Sequence, residues 1–462
     1  MNVNETTVLI YDNGSAVELA RMFVGRFKKV YYFTPFTQSG FPDFNPRFIG
    51  EGIKGVDKVE HLWKLVDSNE VDLYIFLDVY DGDLASHLKS IGKKVVSAFY
   101  GGELELNRTK FQEFLKANNL PVSEFTPIIG ITTLRKELSD KKDKFIKISN
   151  LRGISETLKY ENSVVSSSEI DDLSYRLGDL REVIEFLIQN PIGDDRAVEW
   201  GWESFFTGGD FNETILIGCE VKDCAYYGRF MDIAVAPPFV ATINNAFKPA
   251  LSAYGYQTHF STEVRQVDPQ TGYFTDATCR KPAPPGELMY YLIENIDEVY
   301  QGLAQGINVP FKKKYEFGVQ VIIHSEWGED HFLSIEIPEK YRDNVFLKNY
   351  AIVDGVPRII PQPYKLQEVG AVVAGGNTLE EAIGKVKEII EAIKNRNLSF
   401  PVDKLEHIQE ELDKMDKLGI NFFKTEKLQE EKKEPIITPE VRKQEPKAIS
   451  PKVKKFLEKI QR

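Results

Sequence analysis

The chain of 462 residues is long enough for roughly two to four domains, and its hydrophobic content of 42% and charged content of 28% are ordinary for a globular protein. A formal net charge of −12 at pH 7 argues against a general nucleic-acid-binding surface. The three cysteines form no CxxC pair, no apolar run approaches the roughly 18 residues of a membrane span, and the first residues lack a signal-peptide pattern. We therefore expect a cytoplasmic protein without disulfides.

The first hundred residues alternate short apolar runs with helical patterns, which is the order of an α/β domain. Residues 8–11 are typical of a buried parallel strand, the turn Asp-Asn-Gly-Ser follows at 12–15, and a helical pattern covers 16–27. The run DLYIFLD at 72–78 is the clearest buried strand of this half. Because no GxGxxG fingerprint is present, the sequence predicts a doubly wound α/β lead domain over residues 1–105 without a dinucleotide site.

The next segment combines an amphipathic helix with a lysine inside a strand. Residues 107–118 place their apolar side chains on one helical face. Lys147 stands in the apolar pattern FIKI, where a lysine is costly to bury unless it meets an anion. The alternative is an edge-strand lysine whose ammonium group reaches water. The loop with Arg152 and Gly153 can close over phosphate through backbone N–H groups, and residues 183–189 are predicted to be a helix.

The stretch DDRAVEWGWESFFTGGDF predicts a strand with two chemically different faces. Because side chains alternate along a strand, Glu199 and Glu203 share one face, whereas Trp200 and Trp202 share the other. We expect the two tryptophans to pack in the core. The sheet continues in the next strand, and Lys222 follows it.

Residues 255–281 predict two β-strands joined by a short turn. The turn Asp-Pro-Gln-Thr-Gly contains a proline that presets φ and a glycine that supplies a positive φ. In a hairpin the strands lie side by side, with Glu263 near the level of Asp276. The shared face then carries Glu263, Asp276, Thr278 and Arg280. Carboxylates suit Mg²⁺ and a guanidinium suits phosphate, so this face predicts a metal and phosphate site; the alternative is a polar, solvated face without a ligand.

The order of these parts resembles the ATP-grasp superfamily, and within it the phosphoribosylamine–glycine ligase-like branch. The parts are the lead domain, the helix LNRTKFQEFLKANNLPV, a strand lysine with a glycine loop, a strand with paired glutamates and a metal hairpin. The segment GAVVAGGNTLEEAIGKVKEIIEAI at 370–393 resembles the closing part of the same branch, so the resemblance covers roughly residues 8–394. The sequence DATCR at 276–280 stands where the family often shows Glu-x-Asn-x-Arg.

The resemblance implies ATP and Mg²⁺ as cofactors and gives several residues a role at the nucleotide. Lys147 would contact the ATP phosphates, and the loop with Arg152 and Gly153 would lie over the triphosphate. The adenine pocket and a second basic contact would be formed by Glu199, Glu203 and Lys222. Either glutamate could be the acid that binds the ribose, and the resemblance favours Glu203.

The resemblance also implies how the metal and the reacting groups are held. The Mg²⁺ ligands would be Glu263 and Asp276, with Thr278 at the position where the family has Asn, which leaves one metal contact open. Arg280 would bind phosphate or an acyl phosphate, so the catalytic roles would fall to Arg280 and Lys147.

These roles imply an ATP- and Mg²⁺-dependent carboxylate–amine ligase that works through an acyl phosphate on small-molecule carboxylate and amine substrates. Residues 219–245 are not glycine-rich, as the substrate segment of glycinamide-forming ligases is, so we expect a different substrate. The alternative is a non-catalytic ATP-grasp protein that acts as a binding or assembly component through its tail, and Thr278 favours it. A Rossmann-type oxidoreductase is disfavoured because the glycine fingerprint is missing.

Resemblance and composition divide the rest of the chain. We expect an ATP-grasp nucleotide-binding region over 106–303, a small C-terminal α/β domain over 304–400 and an amphipathic helix over 401–424. Residues 425–462 are charged and interrupted by prolines, which predicts a disordered, flexible tail. A short helix at 451–460 is a candidate docking face for a protein partner, and a homodimer is left open.

Overall fold

The fold is described from a computed structural model, over residues 2–35, 48–150, 157–361, 368–393 and 396–423. The loop residues Arg152 and Gly153 and the predicted tail at 425–462 lie outside the described residues. Within the described ranges, no helix combines the length and the apolar character needed to span a membrane.

The lead domain is a parallel sheet of five strands with helices on both faces. Its strands are β1 (Thr7–Tyr11), β2 (Lys29–Phe33), β3 (Val56–Lys58), β4 (Leu73–Phe76) and β5 (Val95–Val96). Its helices are α1 (Val17–Phe23), α2 (Leu62–Ser68) and α3 (Gly82–Ser90). The strand order is β3-β2-β1-β4-β5, and α1 packs on the face opposite to α2 and α3. This is the predicted doubly wound arrangement, whose switch point lies at the carboxyl ends of β1 and β4.

A small antiparallel sheet with a hydrophobic core of its own follows. Its strands are β6 (Phe125–Ile129), β7 (Lys144–Ile148), β8 (Thr157–Tyr160) and β9 (Glu185–Gln189), in the order β6-β9-β7-β8. The helices of this part are α4 (Glu103–Leu106), α5 (Arg108–Ala117), α6 (Ile131–Leu138) and α7 (Ser167–Leu177). The side chain of Asn107 accepts a hydrogen bond from the Lys110 amide at 2.8 Å and so caps α5.

The predicted helix at 183–189 is wrong. Residues 185–189 form the strand β9, which pairs with β6 on one side and β7 on the other. A short apolar run fits a helix and a strand equally well, and pairing with strands far away in the chain decides between them.

The remaining strands build a large antiparallel sheet and a three-stranded one. They are β10 (Val198–Thr207), β11 (Asp210–Phe211), β12 (Thr214–Val221), β13 (Ala225–Asp232), β14 (Thr258–Asp268), β15 (Thr271–Thr278), β16 (Phe317–His324), β17 (Leu333–Ser334), β18 (Val345–Leu347), β19 (Tyr350–Val353), β20 (Val356–Ile359) and β21 (Glu368–Gly376). The large sheet has the order β15-β14-β10-β12-β13-β16-β21-β18, with β11 paired to β10, and the small one has the order β17-β20-β19.

Several helices pack against the large sheet. The remaining helices are α8 (Pro238–Ala253), α9 (Gly286–Leu292), α10 (Ile296–Gln305), α11 (Trp327–Asp330), α12 (Leu379–Ala392) and α13 (Ile408–Lys417). Trp200 and Trp202 are buried, as predicted, and the indole of Trp202 donates to Asn244 on α8 at 3.2 Å. The opposite face of β10 carries the glutamates and is turned towards the small sheet.

Glycines stand side by side on five neighbouring strands of the large sheet. In register they are Gly201, Gly218, Gly228, Gly318 and Gly375. A Cβ atom on Gly218 would lie 2.6 Å from the hydroxyl of Tyr226, and one on Gly228 would lie 2.8 Å from the ring of the same tyrosine. The missing side chains therefore let the Tyr226 ring lie across β12 and β13.

We expect Gly218→Ala to lower the free energy of unfolding by about 1–3 kcal/mol, because the added methyl group collides with the backbone carbonyl of Tyr227 and with the ring of Tyr226 and so overpacks the sheet. The matched control is Gly384→Ala on α12, where a Cβ atom meets nothing within 4 Å. Because alanine is the better helix former, the control should gain about 0.5–1 kcal/mol. Denaturant unfolding followed by circular dichroism measures both, and a Gly218→Ala protein as stable as the unchanged chain would contradict the close approach.

Candidate active site

Lys147 on β7 and Arg108 on α5 hold the carboxylate of Asp276 on β15 from two sides. The ammonium group of Lys147 lies 2.6 Å from Oδ2 of Asp276, and Arg108 donates through Nη1 to Oδ1. Lys147 and Arg108 are 8% and 3% exposed. The buried lysine does meet an anion, and this contact joins the small sheet to the hairpin of the large sheet.

A β-bulge in the hairpin aims a backbone carbonyl at the same lysine. Glu263 pairs with Asp276, as predicted, but the next pair is Val264 with Phe274, so Thr275 is an extra residue on β15. Its carbonyl oxygen accepts a hydrogen bond from Lys147 at 3.0 Å. Bulges bend a strand and re-aim its groups, and here the bulge adds a second acceptor for the lysine.

Carboxylates crowd the face of the sheet beside this contact. Burial raises the pKa of Glu263 well above its usual range, the negative charges of Glu199, Asp276 and Glu220 raise it further, and Lys147 only partly opposes them. A cation placed between Glu263 and Asp276 would remove this repulsion. The face is therefore suited to a positively charged ligand.

Arg280, after the end of β15, is oriented by Glu105 of α4. Its Nε donates to Oε1 of Glu105 at 2.9 Å, and the other oxygen of this fully buried carboxylate accepts the amide of Cys279 at 2.5 Å. The carboxyl end of β4 reaches the same arginine: burial raises the pKa of Asp78, and the charge of Arg280 opposes this. The switch point of the lead domain therefore borders the candidate site.

The three other predicted nucleotide residues lie at different depths. Glu199 is paired with Arg265 at 3.3 Å, and its side chain is half exposed. Glu203 is only 6% exposed, and burial raises its pKa to about 8 although it has a hydrogen bond with Ser261. Lys222 lies in the exposed turn between β12 and β13, next to Glu220.

A buried ion network that the sequence did not predict connects the end of the hairpin to α9 and β18. Lys281 lies 2.5 Å from Oε1 of Glu287, and Lys348 lies 4.0 Å from the same oxygen and contacts Glu368. Gln320 donates to the other oxygen of Glu287 at 3.0 Å. Burial would raise the pKa of Glu287, but the two ammonium groups outweigh it and lower the pKa to about 2.

The donor set fits Mg²⁺ that is bound together with a nucleotide. Glu263 and Asp276 supply two carboxylates in register, and Thr278 supplies a hydroxyl further along the same face. In the part of the chain that the structure describes, no group of three or more His, Cys, Asp and Glu side chains is arranged to hold a metal ion. Mg²⁺ usually takes one or two carboxylates and completes its shell with phosphate oxygens and water, so two carboxylates suffice for such a site.

Similar solved structures were found, although no protein-family model and no curated protein matches the chain by sequence. A phosphoribosylamine–glycine ligase from Thermotoga maritima has a TM-score of 0.62 and 16% identity over 86% of this chain and 99% of its own. The biotin carboxylase domain of 2-oxoglutarate carboxylase from Hydrogenobacter thermophilus, solved with MgADP and bicarbonate, has a TM-score of 0.64 and 11% identity over 89% and 95%. An L-amino acid ligase from Bacillus licheniformis has a TM-score of 0.56 and 14% identity over 86% and 99%.

These neighbours are ATP-grasp proteins, and the likeness extends over most of each chain. The chain therefore has the ATP-grasp fold, which confirms the fold that the order of its sequence parts predicted.

Arg108 is the site residue that sequence analysis missed. It occupies the first turn of α5, where the helix dipole disfavours a positive charge. An arginine at such a position indicates an anion nearby. That signal was available in the helix LNRTKFQEFLKANNLPV, whereas the pairing of Glu287 with two lysines was not, because its partners come from separate elements.

We expect Glu287→Gln to lower the free energy of unfolding by about 3–5 kcal/mol at neutral pH, because two buried lysines lose their shared carboxylate. Since the folded protein lowers the pKa of Glu287, its contribution is present above the unfolded-state pKa of about 4.3 and is lost as the pH falls towards 2. The difference in melting temperature between the two proteins should therefore shrink on acidification.

The control for this prediction is Glu298→Gln, which breaks an exposed pair with Lys312 but keeps a side-chain oxygen that can accept the hydrogen bond of Asn295. An exposed pair is worth about 0–1 kcal/mol, so this variant should melt close to the unchanged protein. A destabilisation by Glu287→Gln that stays constant between neutral and acidic pH would contradict the assigned charge of Glu287.

Proposed function

We propose that this protein is an ATP- and Mg²⁺-dependent carboxylate–amine ligase that works through an acyl phosphate. The observation that carries the proposal is the meeting of Lys147 and Arg108 with Asp276, beside Glu263, on an ATP-grasp fold. Two buried cations and two adjacent carboxylates are the groups that a triphosphate and its metal ion require.

Each predicted residue keeps a proposed role. Lys147 and Arg108 bind the phosphates, and Arg280 neutralises the charge that develops on the transferred phosphoryl group. Mg²⁺, when held by Glu263, Asp276 and Thr278, supplies further neutralisation of that charge. Arg152 and Gly153 close over the triphosphate.

The adenine end is proposed to lie on the Glu199 side of the sheet. A ribose hydroxyl needs a carboxylate that it can reach, so we favour the half-exposed Glu199 over the buried Glu203 as the ribose ligand, in place of the earlier preference for Glu203. Lys222 remains a candidate for a second basic contact.

The chemistry follows from these positions. The γ-phosphoryl group passes to a substrate carboxylate, an amine attacks the acyl phosphate, and inorganic phosphate leaves. The protein contributes orientation and charge neutralisation in a largely buried site. The structural neighbours include two ligases and a biotin carboxylase domain, which supports small-molecule carboxylate and amine substrates for this chain. Its three cysteines form no disulfide, which agrees with a reducing, cytoplasmic location.

Thermal melting with and without MgATP tests the nucleotide site. A ligand that binds only the folded state stabilises it by about 2.7 kcal/mol at one hundred times its Kd, so MgATP should raise the melting temperature. Lys147→Met should lose most of this rise because the phosphates lose a buried cation.

The matched control is Lys159→Met on the neighbouring strand β8, where the lysine is exposed. Its rise with MgATP should equal that of the unchanged protein. No rise in the unchanged protein would reject the ligase proposal, and an equal rise in Lys147→Met would reject the role of Lys147.

A further inference from the structure

On the face of the large sheet that carries Glu263 and Asp276, two buried polar atoms have no hydrogen-bond partner among the described residues. They are Oε2 of Glu203 on β10 and the hydroxyl of Tyr226 on β13. The two residues are 6% and 4% exposed. Leaving such a group unpaired costs about 1–3 kcal/mol, so both atoms indicate a missing partner.

Glu203 and Tyr226 interact electrostatically and lie on the same face of the sheet. Burial, and then the charge of Glu203, raise the pKa of Tyr226 well above its usual range. The tyrosine ring lies over Gly218 and Gly228, which keeps its hydroxyl against the sheet and near β10. The absence of side chains at these glycines is therefore what brings the phenol towards the glutamate.

The pair lies beside the proposed phosphoryl-transfer site. Glu203 is in register with Ser261 on β14, and Ser261 is in register with Thr278 on β15. From Thr278 the chain leads directly to Arg280. Glu203 is therefore displaced from the row of Glu263 and Asp276 towards Arg280, on the side opposite to Glu199.

The surrounding charge selects the kind of partner. Glu220 adds a negative charge, and Arg280 is the cation that acts on Glu203. An anionic ligand would be repelled by these carboxylates. An ammonium group carries three N–H donors and one positive charge, so it can satisfy the carboxylate and the phenol oxygen together.

We propose that Glu203 and Tyr226 form the subsite for the amino group of the nucleophilic substrate, which is a primary amine that arrives as an ammonium ion. This inference rests on the proposed function and adds the class of the amine. The ammonium group donates to Oε2 of Glu203 and to the oxygen of Tyr226. A protonated tertiary amine has only one N–H group and a quaternary nitrogen has none, so neither can donate to both buried oxygens.

The same carboxylate can prepare the amine for attack. Glu203 takes one proton from the ammonium ion and frees the nitrogen lone pair. The nitrogen then forms the C–N bond, the bond from the acyl carbon to the phosphate oxygen breaks, and the phosphate leaves with that electron pair and with the second proton of the nitrogen. Burial raises the pKa of Glu203 to about 8, so its ionised form is a stronger base than an ordinary glutamate, and a bound ammonium ion favours that ionised form.

The experiment compares two small cations as probes on the full-length protein. Melting temperatures are measured with methylammonium chloride and with tetramethylammonium chloride at equal ionic strength. We expect methylammonium to raise the melting temperature more, because only it has N–H donors. In Glu203→Gln the apparent affinity for methylammonium should fall at least tenfold, and in Tyr226→Phe it should fall by a smaller factor.

Glu213→Gln is the matched control, since Glu213 is exposed just before β12. It should keep the full response to methylammonium. Equal shifts from the two cations in the unchanged protein, or an unaltered preference in Glu203→Gln, would overturn the proposal. Tyr226→Phe keeps the ring over the glycines, so it tests the subsite even where Glu203→Gln disturbs folding.

The response to MgATP, measured on the same proteins, separates this proposal from the ligase proposal. A selective methylammonium shift without a MgATP shift would reject the ligase function, and with it the role of the bound amine as a nucleophile, and would leave only a cation site at Glu203 and Tyr226. A MgATP shift without methylammonium selectivity would reject the ammonium subsite and leave the ligase proposal standing.

Discussion

The carboxylate of Asp276, held between Lys147 and Arg108, is the contact on which the rest of the site depends. It joins the small sheet, α5 and the hairpin through groups that are largely buried. Removing an ion from water costs several kcal/mol in a protein, so the shared carboxylate offsets part of the cost of burying the two cations. Under the proposed function, Lys147 and Arg108 would bind the triphosphate, and Glu263 and Asp276 would hold Mg²⁺, so each charged group would keep a partner of opposite charge.

Backbone features decide where these side chains point. The bulge at Thr275 breaks the regular pairing of β14 and β15 beside Asp276, which gives Lys147 a carbonyl acceptor next to its carboxylate. The glycine row has the opposite effect on the neighbouring strands, because it removes side chains and lets one tyrosine ring cover two of them. A uniform sheet of β-branched residues would be more stable locally, but it would fill the space above the strands.

The parts of the site that local chemistry determines could be predicted from the sequence. Alternation and the Asp-Pro-Gln-Thr-Gly turn were enough to place Glu263 opposite Asp276, and the cost of burying a lysine was enough to expect an anion at Lys147. The identity of that anion was not predictable, because Asp276 lies 129 residues further along the chain. The same limit explains β9, whose five residues become a strand only between β6 and β7, and Glu287, whose lysines come from separate elements.

Glu287 and Glu203 are two buried glutamates near the site that differ in whether their oxygens have partners. Both oxygens of Glu287 have partners: one contacts Lys281 and Lys348, and the other accepts from the amide of Gln320, so its role is structural. Glu203 is also buried, but its Oε2 has no partner among the described residues, and the hydroxyl of Tyr226 has none either. An apolar side chain at either position would avoid a cost of about 1–3 kcal/mol. Such a pair lowers stability, which agrees with the proposal that a cationic ligand completes its hydrogen bonds when bound.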